Sequence, residues 1–351
     1  MSKYYVIKPA DTSAQLEKML EAALNGKNVV YISDKSNLPE LKEKKIIICV
    51  EISPAGFCIP LYEIITELQS RGRDSLGGSS AILLVHSSSE LYTKSTAAFI
   101  IFLLNGLGCR FLGHPVVEAT ASLSNFSTWR NVTEAPLDDI CMELCAKLGG
   151  RFSAYNPKLI ERPRILALHS SFKGTSNTLA LWNMAKAHLE GCEIREQHVE
   201  NGRIIDCKGC SFKTCKHYSM NDGCFYGGAM VEEILPAIKK SDAVIWLCPN
   251  YNDAISANLS AVINRMTALY RKTPFYQKTL FSIIVSGNSG SDSVARQLIG
   301  ALCINKGFSL PPYFSFMATA NDPGTVSQIP DIEAASKKFA ENMLKEIKKT
   351  S

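Results

Sequence analysis

Residues 164–179 read Arg-Ile-Leu-Ala-Leu-His-Ser-Ser-Phe-Lys-Gly-Thr-Ser-Asn-Thr-Leu, and their pattern decides the fold. Ile165 to Leu168 is a continuous apolar run, as a strand buried on both faces requires. The loop after it is rich in hydroxyls, carries one glycine and one lysine, and opens a helix at Asn177-Thr178. Such a loop presents several backbone N–H groups, the hydroxyls of Ser170, Ser171, Thr175, Ser176 and Thr178, the Lys173 charge and the positive end of a helix to one phosphate. Neither Gly-x-Gly-x-x-Gly nor Gly-Lys-Ser/Thr is present, so the loop is not a dinucleotide fingerprint or a P-loop. A monophosphate fits it; an ordinary serine-rich turn with a helix cap is the plain alternative.

Outward from this loop, apolar β-rich runs alternate with longer amphipathic segments, the rhythm of a parallel sheet covered by helices on both faces. Strands are predicted at 164–169, 193–199, 243–248, 280–286 and 313–318. Helices are predicted at 178–189, 230–240, 257–269, 293–306 and 332–348. Five strands with five helices give an α/β, flavodoxin-like, doubly wound parallel five-stranded sheet. The first half repeats the texture, with strands at 4–7, 28–32, 45–50, 81–85 and 109–112 and helices at 14–24, 61–69 and 94–107. Ala81-Ile-Leu-Leu-Val followed by a helix also echoes Phe281-Ser-Ile-Ile-Val followed by a helix. The chain therefore reads as a duplicated unit: a degenerate N-terminal copy over 1–135, a linker over 136–163 punctuated by Gly149-Gly150 and Arg162-Pro163, and a ligand-binding copy over 164–351.

Composition agrees with a soluble globular protein: 46% hydrophobic and 20% charged residues. The most apolar stretch, Thr96 to Gly108, falls short of the roughly 20 residues of a membrane span. The N-terminus lacks the pattern of a signal peptide, so a cytoplasmic location without a membrane partner is expected. The net charge of +5 sits in the second half. It suits a phosphate-bearing ligand and is too small to argue for nucleic acid.

Two further strand ends complete a candidate site at the carboxyl edge of the sheet, where open α/β sheets bind ligands. The first is Pro249-Asn250-Tyr251-Asn252-Asp253, with an aromatic ring suited to lie along a flat ligand and backbone groups to meet its polar rim. The second is the glycine-bearing loop Ser286-Gly287-Asn288-Ser289-Gly290. Of twelve cysteines, eight lie in apolar surroundings where a thiol acts as a small buried hydrophobe. Cys207, Cys210, Cys215 and Cys224 cluster. Four thiolates in a reduced compartment are enough for a [4Fe–4S] cluster or a structural zinc; an unligated turn is the third reading.

With these motifs in order, residues 164–351 resemble the NADPH-dependent FMN reductase family, and within it the iron-sulfur flavoproteins. The family's first loop, Gly-Ser-Pro-Arg then Gly-Asn-Thr, stands here as Ser170-Ser171-Phe172-Lys173 then Ser176-Asn177-Thr178. Its Ser-Pro-x-Tyr and Asp-Arg appear as Cys248-Pro249-Asn250-Tyr251 and Asn264-Arg265, and its Cys-x-Gly-Cys as Cys207-Lys208-Gly209-Cys210. The first loop has lost the family's Gly and Pro, and Gly227-Gly228-Ala229-Met230 replaces the usual acidic pair. The resemblance implies FMN with its phosphate in the Ser170–Thr178 loop and its ring between the Pro249–Asp253 and Gly287–Gly290 loops. It also implies NAD(P)H or a redox carrier as electron partner, and a homodimer or homotetramer. No catalytic side chain is expected, because flavin carries the chemistry. A flavodoxin-type carrier and a non-catalytic scaffold are the competing functions. The N-terminal loop Lys8-Pro-Ala-Asp-Thr-Ser13 has no glycine and no Asn-Thr helix start, so that copy is expected to hold no flavin.

Overall fold

The computed structural model describes residues 3–172, 174–200, 202–221, 223–273 and 275–349. They form two compact units, 1–156 and 157–351.

The first unit runs β1 (Tyr4–Ile7), α1 (Ala14–Leu24), β2 (Val29–Ile32), β3 (Lys45–Ile52), α2 (Ile59–Ser70), β4 (Ser80–Ser87), α3 (Thr93–Asn105), β5 (Arg110–Ala119), a 3-10 turn (Ser124–Asn131) and α4 (Leu137–Ala154). Its five strands are all parallel, in the order β2-β1-β3-β4-β5. That is the flavodoxin-like order, with a switch point between the first and third strands. Ile47, Cys49, Ile82 and Leu84 turn one face of the sheet toward α1 and α4. The alternate residues Ala81, Leu83 and Val85 are also fully buried, on the other face, which explains why these strands read as unbroken apolar runs.

The stretch read as a linker holds α4, whose Ile140, Cys141, Cys145, Leu148 and Phe152 belong to this core. The linker expectation is corrected accordingly: the division falls at 156/157. Gly149 is helical and lets α4 approach α1, because a β-carbon there would stand 1.9 Å from the Ala23 carbonyl oxygen.

The second unit runs β6 (Arg164–His169), α5 (Asn177–Lys186), β7 (Glu193–His198), α6 (Phe212–Met220), a π-helical turn (Met230–Ile234) leading into α7 (Leu235–Lys240), β8 (Ala243–Asn250), α8 (Ala257–Arg265), α9 (Thr267–Tyr270), β9 (Thr279–Ser286), α10 (Ser291–Leu298) with a π-helical continuation (Ile299–Ile304), β10 (Ser315–Thr319) and α11 (Ile332–Ile347). The parallel order β10-β9-β8-β6-β7, taken from the β7 edge, is the same flavodoxin-like order. Each unit thus has the expected fold, and the strand order is duplicated. Ile165, Ala167, Ile245, Leu247, Phe281, Ile283 and Val285 meet α5 and α11 in one apolar layer. Edge strand β7 is charged and largely exposed (Glu-Ile-Arg-Glu-Gln-His), which protects an open edge from pairing with other chains. No described helix is long and apolar enough to cross a membrane.

Candidate functional site

At the carboxyl edge of the second sheet four loops enclose a cavity of about 440 Å³, within the size range of small-ligand sites. Thr175, Ser176, Asn177 and Thr178 come from the loop between β6 and α5. Pro249, Asn250 and Tyr251 come from the end of β8, Val285, Gly287 and Asn288 from the end of β9, and Ala320 and Asn321 from beyond β10. The cavity lies at the switch point between β6 and β8, where such sheets bind ligands.

The first loop is held by its own side chains. Ser176 caps α5, its Oγ accepting from the Leu179 amide at 3.2 Å. Asn177 is buried, and its Nδ2 donates to the carbonyls of Ala320 (3.3 Å) and Asp322 (2.8 Å) while its Oδ1 accepts from Val326 N (3.4 Å). One side chain therefore ties the phosphate-type loop to the loop after β10. Ser170 Oγ lies 2.7 Å from Ser256 Oγ, at the cap of α8. Ser171 is buried, and its Oγ has no hydrogen-bond partner among the described residues. A buried hydroxyl left this way costs about 1–3 kcal/mol, which a ligand oxygen would offset.

The β8 loop is a tight turn. Asn252 and Asp253 both have positive φ (54° and 57°) and Tyr251 bridges Ala254, the geometry of a type I′ turn. Asn250 Nδ2 donates to Asp253 Oδ1 (3.1 Å) and Ser286 Oγ (3.0 Å), and Gln297 Nε2 donates to the Asp253 carbonyl at 2.8 Å. Gly290 has φ 93°, a conformation that favours glycine, and a β-carbon there would meet Asp253 Oδ1 at 1.8 Å, so that the Asp253 side chain would have to turn aside. Gly287 faces Asn321 in the same manner, at 2.7 Å. Tyr251 lines the cavity with 61% of its surface exposed.

Of the residues expected at the site, Thr175, Ser176, Asn177, Thr178, Pro249, Asn250, Tyr251, Gly287 and Asn288 line the cavity. Ser170 and Ser171 belong to the first loop but are not among the lining residues, and Asn252 and Asp253 stand exposed at the tip of the turn. Lys173 lies outside the described residues. Val285, Ala320 and Asn321 were missed. The last two follow β10, and the rule that brought in the other strand ends points to them too.

The cysteine segment is positioned by α8. Buried Arg265 donates through Nη1 to the Ile205 carbonyl (3.2 Å) and through Nη2 to that of Gly227 (2.9 Å). Asn264 Nδ2 donates to Asp206 Oδ1 at 2.9 Å. Within the segment Ser211 caps α6, its Oγ accepting from Thr214 N, which fixes Cys215 on a helix just after Cys210. Cys207 is exposed; Cys210, Cys215 and Cys224 are half-buried. Cys210 Sγ lies 4.0 Å from the Tyr226 hydroxyl and Cys215 Sγ 4.0 Å from Ser219 Oγ. Among the described residues no three Cys, His, Asp or Glu side chains gather as a metal-binding group. The arrangement of the described residues thus gives no support to a [4Fe–4S] cluster or a zinc at the four thiols. Protein purified without oxygen is expected to carry no stoichiometric iron. About four iron and four sulfide per chain, lost on Cys210→Ser, would overturn that expectation.

Residues 163–322 match the family described as NADPH-dependent FMN reductase. The match covers a segment of the chain and includes all four loops of the cavity. No curated protein matches the chain. Solved structures with a similar fold include a putative quinone reductase from Klebsiella pneumoniae, at 16% identity and TM-score 0.41, covering 53% of this chain and 86% of that one. They also include an NAD(P)H:quinone oxidoreductase from Methanothermobacter marburgensis, at 12% identity and TM-score 0.40, covering 52% and 99%. An azoreductase from Bacillus anthracis aligns at 10% identity and TM-score 0.39, covering 52% and 98%.

Proposed function

We propose that the second unit binds FMN in the four-loop cavity and serves as an NAD(P)H-dependent flavin oxidoreductase. The observation that carries this reading is a polar cavity at the switch point of a flavodoxin-like sheet, inside the segment that matches the FMN reductase family. When bound, FMN supplies the hydride and single-electron chemistry.

The chain's residues have the simpler task of holding and aiming it. The first turn of α5 directs its free amides and the Thr178 side toward a phosphate, with the helix end adding a favourable field. The Ser171 hydroxyl gains a partner there. Pro249 and Val285 give the cavity an apolar wall for a ring, Tyr251 an aromatic edge, and Asn250, Asn288 and Asn321 amide groups for its polar rim. Among the described residues the lining contains no carboxylate, imidazole or amine. Selectivity in this scheme rests on position. The Cys207–Cys224 segment contributes as a structural loop held by Arg265, not as a relay.

The test is oxidation of NADPH and NADH by the FMN-loaded chain, followed as loss of nicotinamide absorbance with a quinone or free flavin as acceptor. Turnover that requires added FMN supports the proposal. A loaded chain that oxidises neither nucleotide would leave a carrier of flavodoxin type, and a chain that takes up no FMN would leave a scaffold.

A further inference from the structure

The duplicated strand order allows the two sheet edges to be compared position by position. β3 and β8 are both eight residues long, as are β4 and β9. Aligned by their first residues, Glu51 falls at the position of Pro249 and His86 at that of Val285. The registers agree, because Glu51 pairs with His86 across β3 and β4 as Pro249 pairs with Val285 across β8 and β9. The faces agree as well: Ile47, Cys49, Ile82 and Leu84 lead to Glu51 and His86 as Ile245, Leu247, Phe281 and Ile283 lead to Pro249 and Val285. Ser13 caps α1 through the Leu16 amide just as Ser176 caps α5 through the Leu179 amide. Where the second unit lines its cavity with Pro249, Val285 and Ser176, the first has Glu51, His86 and Ser13.

These three side chains close on one another. Glu51 Oε2 accepts from the Ser13 amide (3.2 Å) and from Ser13 Oγ (2.8 Å), and Glu51 Oε1 lies 2.5 Å from His86 Nδ1, which is itself 3.0 Å from Ser13 Oγ. The carboxylate in the first turn of α1, Glu17, is held separately by Lys8 at 2.6 Å and by Thr12. Burial pushes the Glu51 carboxyl up, but the hydrogen bonds from His86 and Ser13 outweigh it and hold the group below its ordinary range. It is an anion resting on the N-terminal end of α1, where a negative charge is favoured.

We propose that Glu51 is the resident anion of the N-terminal unit, a carboxylate clasped by Ser13 and His86 that fills from within the sheet edge which the second unit leaves open as its cavity. The duplicated site is thereby closed to phosphate-bearing ligands, and the first unit acts as a closed structural copy. The closure is removable, since what occupies the edge is one side chain and not a backbone rearrangement.

Hydrogen exchange of the full chain, saturated with FMN so that any second-unit phosphate position is filled, tests this with inorganic phosphate as the probe. In Glu51→Ala the amides of residues 8–20 should exchange about 5- to 150-fold faster, the factor for 1–3 kcal/mol of lost charged hydrogen bonding. Phosphate should slow them again in the variant and leave the unsubstituted chain unchanged. Unaltered exchange in Glu51→Ala, or equal protection by phosphate with and without Glu51, would overturn the proposal. Should Glu51→Ala fail to fold, the unsubstituted chain alone decides it: phosphate or FMN that protects residues 8–20 shows that the edge is open. The readout concerns only the first unit, so failure of the FMN proposal leaves it interpretable.

Discussion

Gly149→Ala is expected to destabilise the first unit by about 2–3 kcal/mol, while Gly150→Ala, one residue further along the same helix, should stabilise it by about 0.5–1 kcal/mol. Alanine gains up to about 1 kcal/mol over glycine in a helix interior, and at Gly150 nothing lies within 4 Å of the new β-carbon. At Gly149 the β-carbon would sit 1.9 Å from the Ala23 carbonyl oxygen. Backbone must then move, and overpacking of that kind costs typically 1–3 kcal/mol and sometimes more, which outweighs the propensity gain. Calorimetric unfolding of the two variants checks the prediction by the sign of each shift. Equal shifts would mean that α1 and α4 do not pack as closely as described.

Asn177→Ala is expected to lower the stability of the second unit by about 1–3 kcal/mol and to weaken FMN binding with it. The substitution removes a partner from the half-buried Ala320 carbonyl and from the buried Val326 amide, while the exposed Asp322 carbonyl keeps Thr325, and a buried polar group left unpaired costs about 1–3 kcal/mol. Asn321 lines the cavity between those partners, so the loss reaches the site. Asn177→Asp separates the two halves of the bond set: it keeps an acceptor for Val326 N and loses the donor to the two carbonyls. It should fall between the parent and the alanine variant in unfolding temperature. An alanine variant as stable as the parent would show that the loop after β10 is held by other means.

The sheet strands were legible because burial on both faces writes an apolar run that no surface helix shows; β1 and β6 lie where the sequence places them to the residue. The helix α4 is also written, in Leu137, Ile140, Cys141, Leu144, Cys145, Leu148 and Phe152 at helical spacing, but Gly149-Gly150 within it reads as loop punctuation. Glycine marks close approach as well as turns, and sequence alone does not separate the two. Three of the four cavity loops follow from the strand-end rule; the fourth, Ala320 and Asn321, lies just past the strand predicted to end at residue 318. The cysteine expectation finds no support among the described residues. Spacing places thiols near each other along the chain, whereas their convergence depends on the path of the chain between them, which includes the helix Phe212–Met220. The Glu51–His86–Ser13 clasp was out of reach of sequence reasoning for a related cause, since its members are brought together only by strand register.

Titration of the full chain with FMN, followed by flavin fluorescence, tests the central claim most directly. The predicted result is one FMN per chain, with affinity lowered about 5- to 150-fold when Ser171→Ala and Thr178→Ala are combined, the range for 1–3 kcal/mol of lost hydrogen bonds to a charged group. No binding, two FMN per chain, or an affinity that the double substitution leaves unchanged would contradict it.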